Sequence, residues 1–438
     1  MEMDSDESHP LPHQIILNIL SRLPVKSLLR SKLVCKEWRH SISTPQFTKL
    51  HLSQSQLTTT HHVALLESRN PPSSIALRSI ESHSDESVIE IHNSFKYSYP
   101  NSKIISSCNG LLLIALSQKT FIVWNPSTRE YEHLGCLPHF LSFVFILSGL
   151  GYDKLVDEYK VVMAIRVSEN NESDCEKNIY FYCYSSKCEG EPRNIKMDFP
   201  YTILKDTSAT VVNGVPHWLV NHDRGEKSPV IIYFDFVAEV FVELTQPSYG
   251  HESLDISKFD LGVLGGCLSI VCHREHYVEV LVLKRYGAIE SWTKLFVIHY
   301  ENSGNLSFKT LKPLCFTKNG EVLMEIDRKR LVVYNLEKSS YRFVEFCHNG
   351  NGFKVVMYVE SLVSPHGASK SKQRPYWNMA SMSISSTSKP SSSRSSTSKI
   401  ESNLSSSESS ARRNSGSNWM IGKCFPCIKR LPAVLRGT

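Results

Sequence analysis

At 438 residues, with 41% hydrophobic, 21% charged and 10% aromatic residues, the chain has the make-up of a globular protein with more than one domain, which excludes collagen-like and wholly disordered classes. Its net charge of +6 is unevenly placed: residues 362–438 hold 12 Lys and Arg against only Glu401 and Glu408, and the remainder is about −4, from 37 basic and 41 acidic residues. A slightly negative body excludes a nucleic-acid-binding face.

No run reaches the ~18 apolar residues of a membrane helix; the longest, Phe140–Leu150 and Leu261–Cys272, are broken by Ser or Gly. The opening Met-Glu-Met-Asp-Ser-Asp-Glu is acidic where a signal peptide is positive, so no leader is expected. Twelve Cys are then expected as free thiols in a reducing compartment, the cytoplasm and/or nucleus.

After an acidic segment at 1–8, Ile15, Ile16, Ile19, Leu20 and Leu23 form an apolar stripe at helical period between Pro12 and Leu23. Pro24 ends that helix and suits the first turn of the next. There Val25, Leu28, Leu29 and Leu33 repeat the stripe; Cys35, Trp38 and Ile42 predict a third helix, closed by Pro45. Three such helices share too little core to stand alone. Arg22, Lys26, Arg30, Lys32, Lys36 and Arg39 surround them, against Glu37 alone between positions 20 and 40. An apolar face with a basic rim predicts a docking module for an acidic protein partner, although composition alone favours a helical cap packed on the chain's own next domain.

The run from Leu11-Pro12 through Ile15-Ile16-Leu17-Asn18-Ile19-Leu20-Ser21-Arg22-Leu23-Pro24-Val25 to Val34-Cys35-Lys36-Glu37-Trp38-Arg39 closely resembles the F-box motif in its plant form. The likeness extends to Leu52. Gln14 and Ser31 depart from it, standing where an acidic residue and Phe are frequent. The resemblance implies docking onto the Skp-type adaptor of a cullin-based ubiquitin ligase. The family's contact positions fall on Leu11, Pro12, Ile15, Ile16, Leu20, Leu23, Pro24, Leu28, Val34, Cys35 and Trp38, each of which is also a reasonable core residue.

The middle of the chain repeats a grammar about every fifty residues. A turn dipeptide precedes an apolar strand, a second strand ends at Asn or Asp, and an aromatic follows six residues later. Asn109-Gly110, Asn125 and Tyr131 make one unit; Asn213-Gly214, Asp235 and Phe241 another; Asn319-Gly320, Asn335 and Tyr341 a third. Gly265-Gly266 opens a fourth, with two extra residues before Trp292. Gly110 and Gly214 lie 104 residues apart, twice the following spacings of 52 and 54, so the gap should hold one more unit, and Gly151–Tyr184 fits it. With fainter strands at Val63–Glu67, Ile75–Arg78 and Val88–His92, the stretch 63–359 has room for about six propeller blades of kelch-like size. A β-sandwich pair is the rival architecture.

Ser107-Cys108-Asn109-Gly110-Leu111, Val123-Trp124-Asn125-Pro126-Ser127-Thr128-Arg129, Gly151-Tyr152-Asp153 and Tyr159-Lys160-Val161-Val162 resemble the plant F-box-associated domain. That domain is a kelch-like substrate receptor found in a large family that includes the S-locus F-box proteins. Trp124, Asn125, Pro126 and Arg129 themselves read as strand-end and turn residues. The implied architecture is α+β and multidomain: a three-helix F-box at 9–52, an all-β propeller-like domain at 53–362, and a basic tail at 363–438. The 22 Ser among residues 364–417 predict that the tail is disordered.

Chemically suggestive groups are few. Cys267-x4-Cys272-His273-x2-His276 has the wrong spacing for structural zinc and lies in a predicted strand pair, where alternate side chains diverge. Cys183-x4-Cys188 lacks a second pair. Cys424 and Cys427, among Lys423, Lys429, Arg430 and apolar residues, are candidates for reversible palmitoylation, with membrane contact by the tail as a minor alternative. Walker, GxSxG, HExxH and GxGxxG patterns do not occur, so no cofactor, metal or catalytic residue is assigned. The reading is a non-catalytic substrate receptor that joins a target protein to the adaptor and, through it, to cullin and a RING protein. A propeller binding module acting outside any ligase is the alternative.

Overall fold

The computed structural model describes residues 11–57, the strands within 62–91 as backbone, and 103–366 apart from 118, 135–142, 168–178, 187–191, 204–207, 224–228, 245–257, 287, 289–290, 301–307, 309, 318 and 345–352. The first residues of the predicted tail, 363–366, are described and packed, with Val363 buried against the propeller, so the ordered part runs past 362; the rest of the tail, with Cys424 and Cys427, lies outside the described residues.

Four helices open the chain: α1 (His13–Leu20), α2 (Val25–Ser31), α3 (Lys36–Ile42) and α4 (Pro45–Leu57). Prolines set three of the starts. Pro12 and Pro24 stand just before α1 and α2 in extended conformation, and Pro45 is the first residue of α4, where its missing N–H costs nothing. Pro45 therefore starts a fourth helix rather than closing the third. Thr44 caps that start, its Oγ1 accepting the Phe47 N–H at 3.2 Å. At α3 the Cys35 Sγ plays the same part, accepting the Trp38 N–H at 3.4 Å. Since α2 ends at Ser31, Leu33 falls in a turn and faces solvent instead of continuing the α2 stripe.

Six antiparallel sheets follow among the described residues. The first holds β1 (His62–Ser68), β2 (Ile75–Ser79) and β3 (Val88–Ile91). The second holds β4 (Lys103–Cys108), β5 (Leu111–Ala115), β6 (Phe121–Trp124) and β7 (Tyr131–His133), and the third β8 (Phe143–Asp153), β9 (Glu158–Val167), β10 (Ile179–Ser185) and β11 (Arg193–Ile195). In the fourth, β12 (Tyr201–Thr202) and β13 (Thr210–Val212) share one edge of β14 (Val215–His222), which continues to β15 (Pro229–Asp235) and β16 (Val240–Leu244). The fifth is β17 (Phe259–Leu264), β18 (Cys267–His273), β19 (Tyr277–Leu283) and β20 (Trp292–His299); the sixth is β21 (Leu311–Phe316), β22 (Val322–Ile326), β23 (Arg330–Asn335) and β24 (Ser340–Phe343). The last strand, β25 (Phe353–Val359), returns to pair with β1, His62 facing Val359 and Ser68 facing Phe353. The propeller's first and last strands thus share one sheet, and the ring is closed.

An apolar cluster fills each of the six junctions between successive sheets. Leu150, Met163 and Tyr182 meet Leu111 and Leu113; Trp218 and Phe234 meet Leu147 and Phe181; Ile231 meets Leu268 and Ile270. Val280 and Val282 meet Val322 and Met324, Leu323 meets Val355, and Tyr358 meets Trp124. A β-sandwich has one interlayer core. Six cores arranged in chain order make a propeller.

The fifty-residue grammar has a physical cause. Asn109-Gly110, Asn213-Gly214 and Gly265-Gly266 all have positive φ, between 52° and 85°, as the tight turn between a blade's first and second strands requires. At the end of the third strand, the Asn or Asp side chain closes a second turn. Asn125 Oδ1 accepts from Ser127 N–H at 2.8 Å, Asp235 Oδ1 from Val237 N–H at 2.8 Å, and Asn335 Oδ1 from Lys338 N–H at 2.9 Å. Four residues on, Arg129, Glu239 and Ser339 take positive φ. Six residues on, the aromatic pairs across the hairpin: Tyr131 with Trp124, Phe241 with Phe234, Tyr341 with Tyr334.

Candidate functional site

The helical module divides its apolar stripe in two. Leu20, Val25, Leu28, Ile42 and Phe47 form its interior, with Ile16, Leu17, Leu23, Leu29 and Trp38 against them. On α1 and the turn after it, Ile16, Leu20 and Leu23 turn inward at i, i+4 and i+7, while Ile15 and Ile19 turn out. The outward set is substantially exposed: Leu33 76%, Val34 66%, Leu11 59%, Ile19 50% and Ile15 46%. Singly exposed apolar residues are ordinary, but these five, beside Leu50 and Leu57 of α4, need a reason on one small module.

Of the eleven positions carried over from the motif, Leu11, Pro12, Ile15, Pro24, Val34 and Cys35 are exposed. Ile16, Leu23 and Trp38 are half-buried, and Leu20 and Leu28 lie wholly inside. Sequence reasoning overlooked Ile19 and Leu33 as surface residues because both fit a helical core period; the early end of α2 is what turns Leu33 out. Around this face Arg22, Lys26, Arg30, Lys36 and Arg39 are exposed. Lys32 is partly desolvated, which lowers its pKa, with Glu130 opposing the shift.

The module's other side is stitched to the propeller. Residues 360–366, just after β25, run between the two as a strap. Leu362 enters the helical core, and Val363 enters the junction of the second and third blades. The Glu360 carboxylate accepts the Val25 N–H at 3.4 Å, and fully buried Asn125 donates from Nδ2 to the Ser361 and Val363 carbonyls at 3.0 and 2.7 Å. Ser127 bonds Tyr358, and Glu132 bonds His366. Helix α4 runs on past residue 52, with Leu52 against the second–third junction. Its Lys49 Nζ meets Asp157 Oδ2 at 2.8 Å, its Gln56 Nε2 donates to Asn109 Oδ1 at 3.0 Å, and its buried His51 Nε2 lies 3.0 Å from the Leu23 carbonyl.

Cys183, Cys267 and Cys272 are packed into the junctions between blades. Cys267 lies in the fifth–sixth junction and Cys272 in the fourth–fifth, on opposite faces of β18, so they cannot share an ion. Burial pushes the Cys272 thiol up to about 12, with Glu279 adding to it, and burial pushes Cys108 up to about 12; neither is a poised nucleophile. Cys183 is buried in the third–fourth junction, and Cys188 lies outside the described residues. His217 is fully buried, Nδ1 3.3 Å from the Thr210 carbonyl and Nε2 2.6 Å from the Tyr286 hydroxyl. Desolvation lowers its pKa to about 4.

A helical module with one face sewn in and one left bare, ahead of a closed ring, agrees with comparison to known proteins. Residues 63–365 match the F-box associated beta propeller domain, and residues 9–50 the F-box domain. The chain belongs to the F-box-associated β-propeller family. It is similar to the F-box protein CPR1 of Arabidopsis thaliana, 29% identical over 373 residues that cover 81% of this chain and 88% of that protein. An F-box/kelch-repeat protein of the same plant is 28% identical over 377 residues, covering 82% and 96%. In this chain the F-box precedes the propeller, and that pairing fits a substrate receptor of the SCF type in general. The F-box implies an adaptor of the Skp type, and the propeller a target protein.

Proposed function

We propose that this chain is the substrate-recognition subunit of an SCF-type cullin ubiquitin ligase. The bare F-box face docks the Skp-type adaptor, the adaptor recruits cullin and a RING protein, and the propeller holds the target. The observation that carries this reading is the divided stripe. The inward half is completed by the chain's own Leu362, yet Leu11, Ile15, Ile19, Leu33 and Val34 stay exposed within a basic rim. Burying such side chains in an adaptor is worth roughly 1–2 kcal/mol each, and the rim steers an acidic partner.

The chain itself performs no bond chemistry on this reading. It raises the effective concentration of target lysines near a ubiquitin-charged enzyme. A site of action in the cytoplasm and/or nucleus follows from the same role. The test is capture of a purified Skp-type adaptor by the full chain. Ile15→Asp with Val34→Asp should abolish capture while leaving the melting temperature unchanged. Undiminished capture would refute the docking face, and capture of adaptor without cullin would favour a propeller module working outside a ligase.

A further inference from the structure

The helices occupy one end of the ring. Their partners Asn109 and Asp157 lie in turns that join the first and second strands of a blade, and Asn125, which holds the strap that enters the helical core, lies in a turn that joins the third and fourth. In an antiparallel sheet the second-to-third turns lie at the other end. There, on the fifth and sixth blades, one turn breaks the usual rule. Asp327 and Arg328, in the three-residue connection between β22 and β23, hold φ of 52° and 54°, a pair of left-handed residues that a type I′ turn normally fills with Asn-Gly.

Thr310 clamps this geometry. Its N–H donates to Asp327 Oδ1 at 2.8 Å, and the Asp327 N–H donates to the Thr310 carbonyl at 3.0 Å. Strained backbone of this kind persists only where the surroundings impose it, and it clusters at functional sites. Arg328 and Lys329 are left exposed. Arg330 pairs with Asp327 at 3.7 Å and lies 5.8 Å over the Phe343 ring, which is itself exposed.

Next to the clamp, Phe308 packs edge-on against Tyr300 at 5.2 Å, and the Tyr300 N–H donates to the His276 carbonyl at 3.0 Å. Tyr277 and His299 lie side by side at 5.7 Å. Lys258 is exposed at the same end of β17. Among the described residues here, Asp327 is engaged by Thr310 and Arg330, and Glu279 by Arg274 at 3.2 Å and Lys294 at 3.0 Å. Of the described residues, Glu275 is exposed, as are Lys258, Arg328 and Lys329.

We infer that this rim, on the end of the propeller away from the F-box, is where the target is held, and that it takes an acidic, extended segment. Carboxylates of the segment meet Arg328 and Lys329, and its apolar side chains lie on the ledge of Tyr300, Phe308 and Phe343. The inference rests on the receptor reading and names the chemistry of its target.

The test is fluorescence anisotropy of a short fluorescein-labelled Glu/Tyr peptide with the full chain, beside adaptor capture by the same proteins. The peptide should bind more weakly as salt rises. Arg328→Glu with Lys329→Glu should weaken it by about tenfold or more, whereas Lys338→Glu at the F-box end should change it less than about twofold. Arg328→Gly should relax the turn, raising the melting temperature while still weakening the peptide. No binding to the wild-type chain, or equal binding to the double variant, overturns the inference. Intact adaptor capture in those proteins would show that the receptor reading survives it, and loss of capture by the unmutated chain would sink that reading alone.

Discussion

Asn125 and Val363, 238 positions apart, are joined by a buried hydrogen bond of 2.7 Å from the Asn125 Nδ2 to the Val363 carbonyl. The same amide also holds Ser361, and Leu362 between them projects into the F-box core. One turn residue of the second blade therefore fixes the strap that completes the helical module.

Replacing Asn125 with Ala should cost about 2–4 kcal/mol, since two buried carbonyls lose their donor and two turn amides lose their acceptor. Urea unfolding measures it. A loss below about 0.5 kcal/mol, the usual size of a surface change, would show that the strap is not held this way.

Leu362→Ala and Val34→Asp should separate folding from docking. The first removes a core side chain and should cost about 2–4 kcal/mol, lowering adaptor capture only as the F-box loosens. The second lies on the surface and should shift stability by less than about 0.5 kcal/mol yet abolish capture. Calorimetry and adaptor pull-down on both variants decide it, and equal melting temperatures would contradict the packing described. By the same logic, Leu20→Asp is a poor probe of docking because it would unfold the module.

Gly110→Ala should be far more damaging than Gly214→Ala. Both have φ near +85°, but a Cβ at Gly110 would lie 2.2 Å from Ser361 Oγ and 2.6 Å from the Val359 carbonyl, whereas at Gly214 the nearest atom is Tyr152 Cβ at 3.1 Å. The left-handed term, about 1–2 kcal/mol, is common to both. The difference in midpoint on chemical denaturation reads the strap contact directly.

His217 should make the fold acid-sensitive. Its folded pKa of about 4 lies below the ordinary 6.5, so the unfolded chain takes up a proton first as pH falls. Stability contributed by the neutral ring is intact above about pH 6.5 and declines between there and about pH 4, by roughly 3 kcal/mol in full. His217→Asn should flatten the slope of unfolding free energy against pH in that window; an unchanged slope would mean the ring is not buried neutral.

The blades were legible because their chemistry is local. Positive φ favours Gly after Asn at 109–110 and 213–214, and an Asx turn needs its acceptor at 125, 235 and 335, so both leave marks at fixed offsets. Strand alternation was not legible, because β18 is buried on both faces and its apolar run, from Cys267 to Cys272, shows no period of two. The split of the fourth blade's inner strand into β12 and β13 likewise left no mark in the apolar pattern. The F-box was legible as a set of positions but not as a surface: Leu20 and Leu28 satisfy the same helical period as Ile15 and Ile19.

The residues in order thus determined the turns, the helix starts and the fifty-residue recurrence, because each follows from steric and hydrogen-bonding demands within a few positions. Tertiary packing alone decided which half of the α1 stripe faces outward, which end of the ring carries the helices, and that Leu362 belongs to the F-box. Those outcomes depend on contacts between separate elements, 53 positions apart for Gln56 and Asn109 and 335 for Val25 and Glu360, and an apolar side chain carries the same hydrophobic drive whichever surface finally covers it.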